Sequence, residues 1–319
     1  MGAYREARMK ILVTGATGFA GRALIAKLAG HNHEVTALAR DASPSPSPKV
    51  RTLVADLLDL SATADTLRDE CFGAVVHAAA VTPAATVGIQ QPQVFESNIT
   101  LTFNLLNALD ALPGRIIHLS TLDVYAPPTG DAILSETSPI APLSLYARSK
   151  LKTEELCREW AQSHAVPCIT ARLTQVFGPG DSSQKFIPNV LRSIGAGSRI
   201  ELYGDGSDLR DFLFVEDAAA LLAALIENGN ACGVFNVASG TSRSLNDVIR
   251  TLSGITGREF VVEHRPRRKA LVNYRFNIEK LNAATHDTPL SNFTTALERT
   301  LRGLANFCLP PSSARSFDK

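Results

Sequence analysis

Thr14-Gly15-Ala16-Thr17-Gly18-Phe19-Ala20-Gly21 follows an apolar run, Lys10–Thr14, and opens a stretch of helical spacing over 19–29. Glycine at the first position permits a tight turn. At the second it lets the backbone approach an anion, and at the third it lets helix pack on strand. The helix N-terminus then presents free N–H groups to that anion. Strand, glycine turn and helix in this order point to the pyrophosphate of a dinucleotide. Working outward, Glu34–Ala39, Val50–Val54, Ala74–His77, 115–120 and Cys168–Leu173 read as further strands. The stretches 92–112 and 142–164 read as long helices between them. Alternating strands and helices predict an α/β, doubly wound parallel sheet covered on both faces.

This is the pattern of a Rossmann fold. After Gly178 the rhythm changes: glycine and proline become frequent, and Arg265, Arg267, Arg268 and Lys269 cluster. Strand-like pieces at 211–215 and 234–237 and a last helix at 293–307 interrupt this region. The organisation expected is an NAD(P)-binding Rossmann domain from 9–173 with 210–238. A smaller C-terminal substrate-binding lobe takes 174–209 with 239–309. Residues 1–8 and 310–319 read as flexible tails, and the SPSPSP run at 43–48 as an extended loop.

The chain has 319 residues, 45% hydrophobic and 20% charged, which suits a folded core. With 32 Lys+Arg against 31 Asp+Glu, net charge is +1, so no global field invites nucleic acid or an acidic membrane. The apolar stretch 218–226 is too short to cross a bilayer. No signal peptide pattern opens the chain. The five cysteines have no CxxC and no zinc spacing, so no metal is expected. Scattered cysteines suit a reduced compartment, and the cytoplasm is the expected location.

The end of the second strand separates the two nicotinamide cofactors. An acidic residue there accepts from the ribose 2′-hydroxyl and repels a 2′-phosphate. This chain has Ala39 at that place and Arg40 next, and a guanidinium can pair with a 2′-phosphate. NADP is therefore preferred over NAD, with Arg40 as its reader.

Tyr146-Ala147-Arg148-Ser149-Lys150 sets a phenol and an ammonium four apart, on one helix face. A neighbouring ammonium favours phenolate, so Tyr146 is expected to titrate below its usual value and serve as general acid/base. Together with TGATGFAG and His77-Ala78-Ala79-Ala80, this pair resembles the extended short-chain dehydrogenase/reductases, the NAD-dependent epimerase/dehydratase family. The resemblance runs from Lys10 to about Phe307. It includes Asp56-Leu57, Asn98 with Thr102, Ser120-Thr121, Val124-Tyr125, Phe177-Gly178-Pro179-Gly180, Arg210-Asp211-Phe212 and Phe235-Asn236-Val237.

The resemblance implies Thr121, Tyr146 and Lys150 as catalytic residues. It implies cofactor contacts from Gly15, Thr17, Gly18, Phe19, Ala20, Gly21, Asp56, Leu57, Ala78, Ala79, Ala80 and Asn98, besides Tyr146 and Lys150. It also implies hydride exchange with a carbinol carbon, a chemistry that belongs to the cofactor. The 4,6-dehydratases of the family carry Thr-Asp-Glu where this chain has Thr121-Leu122-Asp123. Leucine cannot protonate a leaving hydroxyl, so a 4-ketoreductase or 4-epimerase of a nucleotide sugar is expected rather than a dehydratase. Arg210 and Arg267 resemble arginines that bind the substrate diphosphate. Thr82, Asp123 and Gln175 complete the expected substrate wall. Ala270, Asn277 and Gln175 depart from the family pattern and point to an unusual sugar or a smaller ketone. A dehydrogenase of a small hydroxy acid or natural-product ketone is the alternative, and a non-catalytic cofactor sensor the third. The resemblance also implies a homodimer built from the two long helices.

Overall fold

A computed structural model of the chain describes residues 8–42, 49–82, 91–267 and 270–303. The loop at 43–48 and the tails at 1–7 and 304–319, with most of the expected terminal segments, lie outside the described residues.

In chain order the elements are β1 (Lys10–Thr14), α1 (Phe19–Gly30), β2 (Glu34–Ala39), β3 (Val50–Val54), α2 (Leu60–Leu67), β4 (Ala74–His77), α3 (Gln91–Asn107) and β5 (Ile116–Thr121). A 3₁₀ turn, Leu122–Val124, leads to β6 (Ile133–Leu134), α4 (Leu145–Ser163), β7 (Cys168–Leu173) and β8 (Gln175–Phe177). Then come α5 (Phe186–Gly195), β9 (Ile200–Tyr203), β10 (Leu209–Phe214), α6 (Val215–Glu227), β11 (Gly233–Val237), β12 (Ser242–Ser244) and α7 (Leu245–Thr256). The described chain closes with β13 (Val262–Arg265), β14 (Arg275–Phe276), α8 (Glu279–Ala284) and α9 (Phe293–Arg302).

The main sheet has seven strands in the order β11-β7-β5-β4-β1-β2-β3, and each described pairing in it is parallel. Successive side chains point to opposite faces, so a sheet covered on both sides needs apolar residues throughout. Strand β1 shows this: Ile11 and Val13 join the core on the α1–α6 face, while Leu12 joins the core under α3 and α4. Full burial of each such aliphatic side chain contributes about 1.5–3 kcal/mol.

Strand order reverses between β1 and β4, and in open α/β sheets a crevice opens at that switch point. The remaining strands form three small separate sheets: β12-β10-β8, β13-β9 and β14-β6. Strand β10 therefore pairs with β8 and β12, and α6 and β11 are the parts of 210–238 that return to the main sheet. Helix α7 starts at a capping box, with the Ser244 hydroxyl accepting from Asp247 N–H and the Asp247 carboxylate accepting from Ser244 N–H.

Candidate active site

The glycine turn is as tight as its residues require. Gly15 has φ +65°, and a Cβ there would stand 2.6 Å from the Ala78 backbone. A Cβ on Gly21 would stand 2.2 Å from the Gly15 carbonyl oxygen. Only glycine lets β1, the β4 end and α1 meet this closely. The N-cap of α1 is Gly18, in extended conformation and with no side chain to cap it. The first-turn N–H groups of α1 are thus open to an anion.

A cavity of about 740 Å³ lies at the switch point. Its floor is the turn: Gly15, Thr17, Gly18, Phe19, Ala20 and Gly21. Ala78, Ala80 and Thr82 form the β4 wall. Thr121, Asp123, Tyr146 and Lys150 form the wall opposite, and Gln175 on β8 and Arg210 on β10 extend it. The sequence placed all of these together.

Several other expected contacts are not on this wall. Ala79 donates its N–H to Thr14 Oγ1 at 3.2 Å and packs into the core beneath α3 and α4. Asn98 has its amide fully engaged. Its Oδ1 accepts from Val81 N–H at 2.7 Å, and its Nδ2 donates to Val81 O and to Ser149 Oγ. Asn98 therefore clamps the chain after β4 to helix α4 and positions the wall. Arg40 and Asp56 are exposed, and Leu57 is buried, near the ends of β2 and β3 and outside the cavity wall.

Arg267 departs from expectation. Its Nη1 donates to both Asp208 oxygens at 2.9 and 2.7 Å, and its Nη2 to Asp205 at 2.7 Å. The two carboxylates divide the guanidinium between them, and Arg267 does not line the cavity. Arg210 stays on the wall. It donates to the Leu209 and Val272 carbonyls and lies 5.1 Å over the Tyr274 ring.

Helix α4 presents Tyr146 and Lys150 on one face, started by Ser144, whose hydroxyl accepts from Ala147 N–H at 3.0 Å. Lys150 is 3% exposed, and burial pushes its ammonium down to about 8. Tyr146 moves the opposite way from the expectation. Burial, then the Asp123 carboxylate, push the phenol above its ordinary value. Burial disfavours the charged phenolate, and a facing carboxylate adds to that. Thr121 Oγ1 accepts from Asp123 N–H at 3.2 Å and so caps the 3₁₀ turn. Its hydroxyl proton remains for a second partner in the cavity.

Arg22, Ser182, Ser183, Lys185, Tyr274 and Phe276 also line the cavity, and the sequence reading passed over them. The GPGDSSQK stretch at 178–185 carried a usable signal, a turn with two hydroxyls and a cation. Tyr274 and Phe276 carried none, since long-range contacts bring them in: Tyr274 N–H donates to the Leu209 carbonyl, and Phe276 pairs with Leu134 of β6.

A buried ammonium depressed from 10.5 destabilises the fold at neutral pH, because the unfolded chain holds the proton more tightly. Between about 8 and 10.5 the unfolded state binds more protons, so stability rises with pH there. Lys150→Met is expected to stabilise the protein at pH 7 by up to about 3 kcal/mol. The gain should fade above pH 10, and urea unfolding at both pH values measures it.

Comparison with known proteins adds the lineage. Residues 11–238 match the model of the NAD dependent epimerase/dehydratase family. A dTDP-glucose 4,6-dehydratase of Neisseria meningitidis is 28% identical, over 92% of this chain and 92% of that one. The low-salt glycan biosynthesis protein Agl12 of Haloferax volcanii is 30% identical, over 80% of this chain and 85% of its own. Among solved structures, MoeE5 in complex with UDP-glucose and NAD superposes with a TM-score of 0.80 at 27% identity, covering 92% of this chain and 98% of that chain. The matched span runs from β1 through β11 and includes the glycine turn and the Tyr146/Lys150 pair, and the chain belongs to the NAD-dependent epimerase/dehydratase family, the extended short-chain dehydrogenase/reductase enzymes.

Proposed function

We propose that this enzyme exchanges hydride between a nicotinamide dinucleotide and a secondary alcohol or ketone of a nucleotide-linked sugar, as a 4-ketoreductase or 4-epimerase. The observation that carries the reading is the shared cavity. Thr121, Tyr146 and Lys150 face the glycine turn and the uncapped α1 N-terminus across one space. The turn suits a pyrophosphate, and Lys150 suits the ribose of the nicotinamide half. When bound, the cofactor supplies or accepts the hydride.

The chain's own residues handle the proton. Thr121 donates a hydrogen bond to the reacting oxygen, and Tyr146 gives that oxygen its proton as the carbonyl becomes an alcohol. A phenol held above its ordinary value keeps the proton that this step donates. Curated relatives are named 4,6-dehydratases, and the departure that weighs against that activity here is Leu122-Asp123 after Thr121. Leu122 is 4% exposed and packs with Tyr125 and Phe276, so no acid stands at that place to release water. In the same reading, 174–209 and 239–309 form the substrate lobe and the enzyme works in the cytoplasm. The pairing of Arg267 with Asp208 and Asp205 favours a second reading, a smaller ketone without a diphosphate.

Thermal unfolding with saturating NADP across a panel of sugar nucleotides separates the two. A ligand at 100 times its Kd stabilises by about 2.7 kcal/mol. One nucleotide class should do so and then turn over, and Tyr146→Phe should keep the shift while losing turnover at least a hundredfold. No shift with any sugar nucleotide would leave the small ketone.

Ala39 and the exposed Arg40 at the end of β2 support NADP over NAD. Arg40→Ala should weaken NADP about tenfold more than NAD, read by fluorescence titration of the two reduced cofactors.

Phe95, Ile99 and Phe103 recur every four residues on the outer side of α3, and Phe103 is 51% exposed. That stripe supports a homodimer through α3 and α4. Phe103→Glu should then yield a monomer by light scattering, with a dimer that persists counting against this interface.

A further inference from the structure

Beneath the cavity, helix α4 carries a second ionised residue one turn past Lys150. Glu154 is 4% exposed. Arg172 on β7 donates to it twice, Nε to Oε1 at 3.0 Å and Nη2 to Oε2 at 2.7 Å. Ser120 on β5 adds a hydroxyl donor to Oε1. Arg172 also lies 4.7 Å over the Tyr125 ring, and its Nη1 has no hydrogen-bond partner. A buried ion pair rarely stabilises a fold more than an apolar pair of the same volume would. The pair here has a third charge beside it.

Lys150 and Glu154 are four apart on one helix, which sets their Cβ atoms about 5–6 Å apart. The other groups facing Lys150 carry no charge to offset it. His77 on β4 is bonded at both ring nitrogens, to Thr14 Oγ1 and Thr102 Oγ1, and burial with the nearby ammonium pushes it down to about 3. His118 on β5 stacks on His77 at 5.5 Å, and burial, then Lys150, then His77, hold it neutral. On α4 itself, burial pushes the Cys157 thiol well up, so it stays uncharged. Tyr146 stays protonated and faces Asp123 on the cavity side. Glu154 is left as the negative charge behind Lys150.

We propose that Glu154 is a positioning residue of this enzyme: its carboxylate, fixed by Arg172 and Ser120, is the counter-ion that keeps the Lys150 ammonium charged beneath the cavity. The trio sums to one positive charge, so the carboxylate offsets the two cations without cancelling them. Tight fixing by three donors matters, because a carboxylate free to swing would find water and leave Lys150 to lose its proton.

The inference rests on the hydride-transfer reading of the site, yet it is tested without substrate or cofactor. Protein labelled with ¹³C at the lysine ε-carbon is titrated by NMR, and the signal missing in Lys150→Met assigns the residue. Glu154→Gln should lower the Lys150 midpoint by about one unit or more, and Arg172→Gln should raise it. Glu154→Asp should restore most of the loss. The alkaline limb of kcat should follow the same two directions once a substrate is in hand. Opposite shifts mark a charge effect, since loss of packing would move both variants alike. Unchanged midpoints in folded variants, or shifts of the same sign, would overturn the proposal. If Glu154→Gln does not fold, the Arg172→Gln shift decides by its sign. Absence of any sugar-nucleotide turnover would sink the substrate reading and leave these titrations standing.

Discussion

The cavity depends on a contact between two backbones. The turn after β1 lies against the residues after β4, and the space where a Cβ on Gly15 would stand is taken by Ala78. That contact fixes the angle at which α1 leaves the sheet, and with it the direction in which its uncapped N–H groups point. Gly21 holds the same geometry from the helix side, under the Gly15 carbonyl. Because β1 and β4 are also the strands between which the sheet reverses, the helix end opens into a crevice instead of solvent. Everything on the opposite wall matters chemically only because this floor is in place.

Polar groups brought into the sheet have a cost, and the fold meets it with hydroxyls. Thr14, Thr102 and Thr153 bond the rings of His77 and His118. Ser120 and Arg172 bond Glu154. These bonds fix side-chain positions, although His118 Nδ1 and Arg172 Nη1 are left buried without a partner. The buried Lys150 on the cavity wall is a cost the fold carries, since burial holds its ammonium below its ordinary value.

The surroundings of Asp208 show how one carboxylate sorts two similar cations. Arg210 and Arg267 look alike as sequence features, and both stand near Asp208. Asp208 accepts two bonds from Arg267, while Arg210 lies 3.7 Å from it and is held by carbonyls and the Tyr274 ring. The difference leaves Arg210 at the cavity and removes Arg267 from it. Of the two, Arg210 alone lines the cavity, which Lys185 and Arg22 also line.

Local pattern carried much of this protein. The glycine turn, the strands β1 to β4 and β7, and the Tyr146/Lys150 pair are read from spacings within one element or one turn, where steric rules act between near neighbours. The pattern predicts longer helices than form: α3 ends at Asn107 although apolar residues run on to Leu112, and α4 starts only after the Ser144 cap. The small strands β6 and β14 were missed, since two-residue pairings have no period to detect. Residue type marked Asn98, Arg267 and Tyr146 as functional, and tertiary structure alone decided what each does. Asn98 spends its amide on the Val81 backbone and the Ser149 hydroxyl, Arg267 its guanidinium on Asp208 and Asp205, and Tyr146 keeps its proton under burial and the field of Asp123. Hydrogen-bond partners and desolvation depend on groups far apart in the chain, and a one-dimensional pattern carries no record of which of them meet.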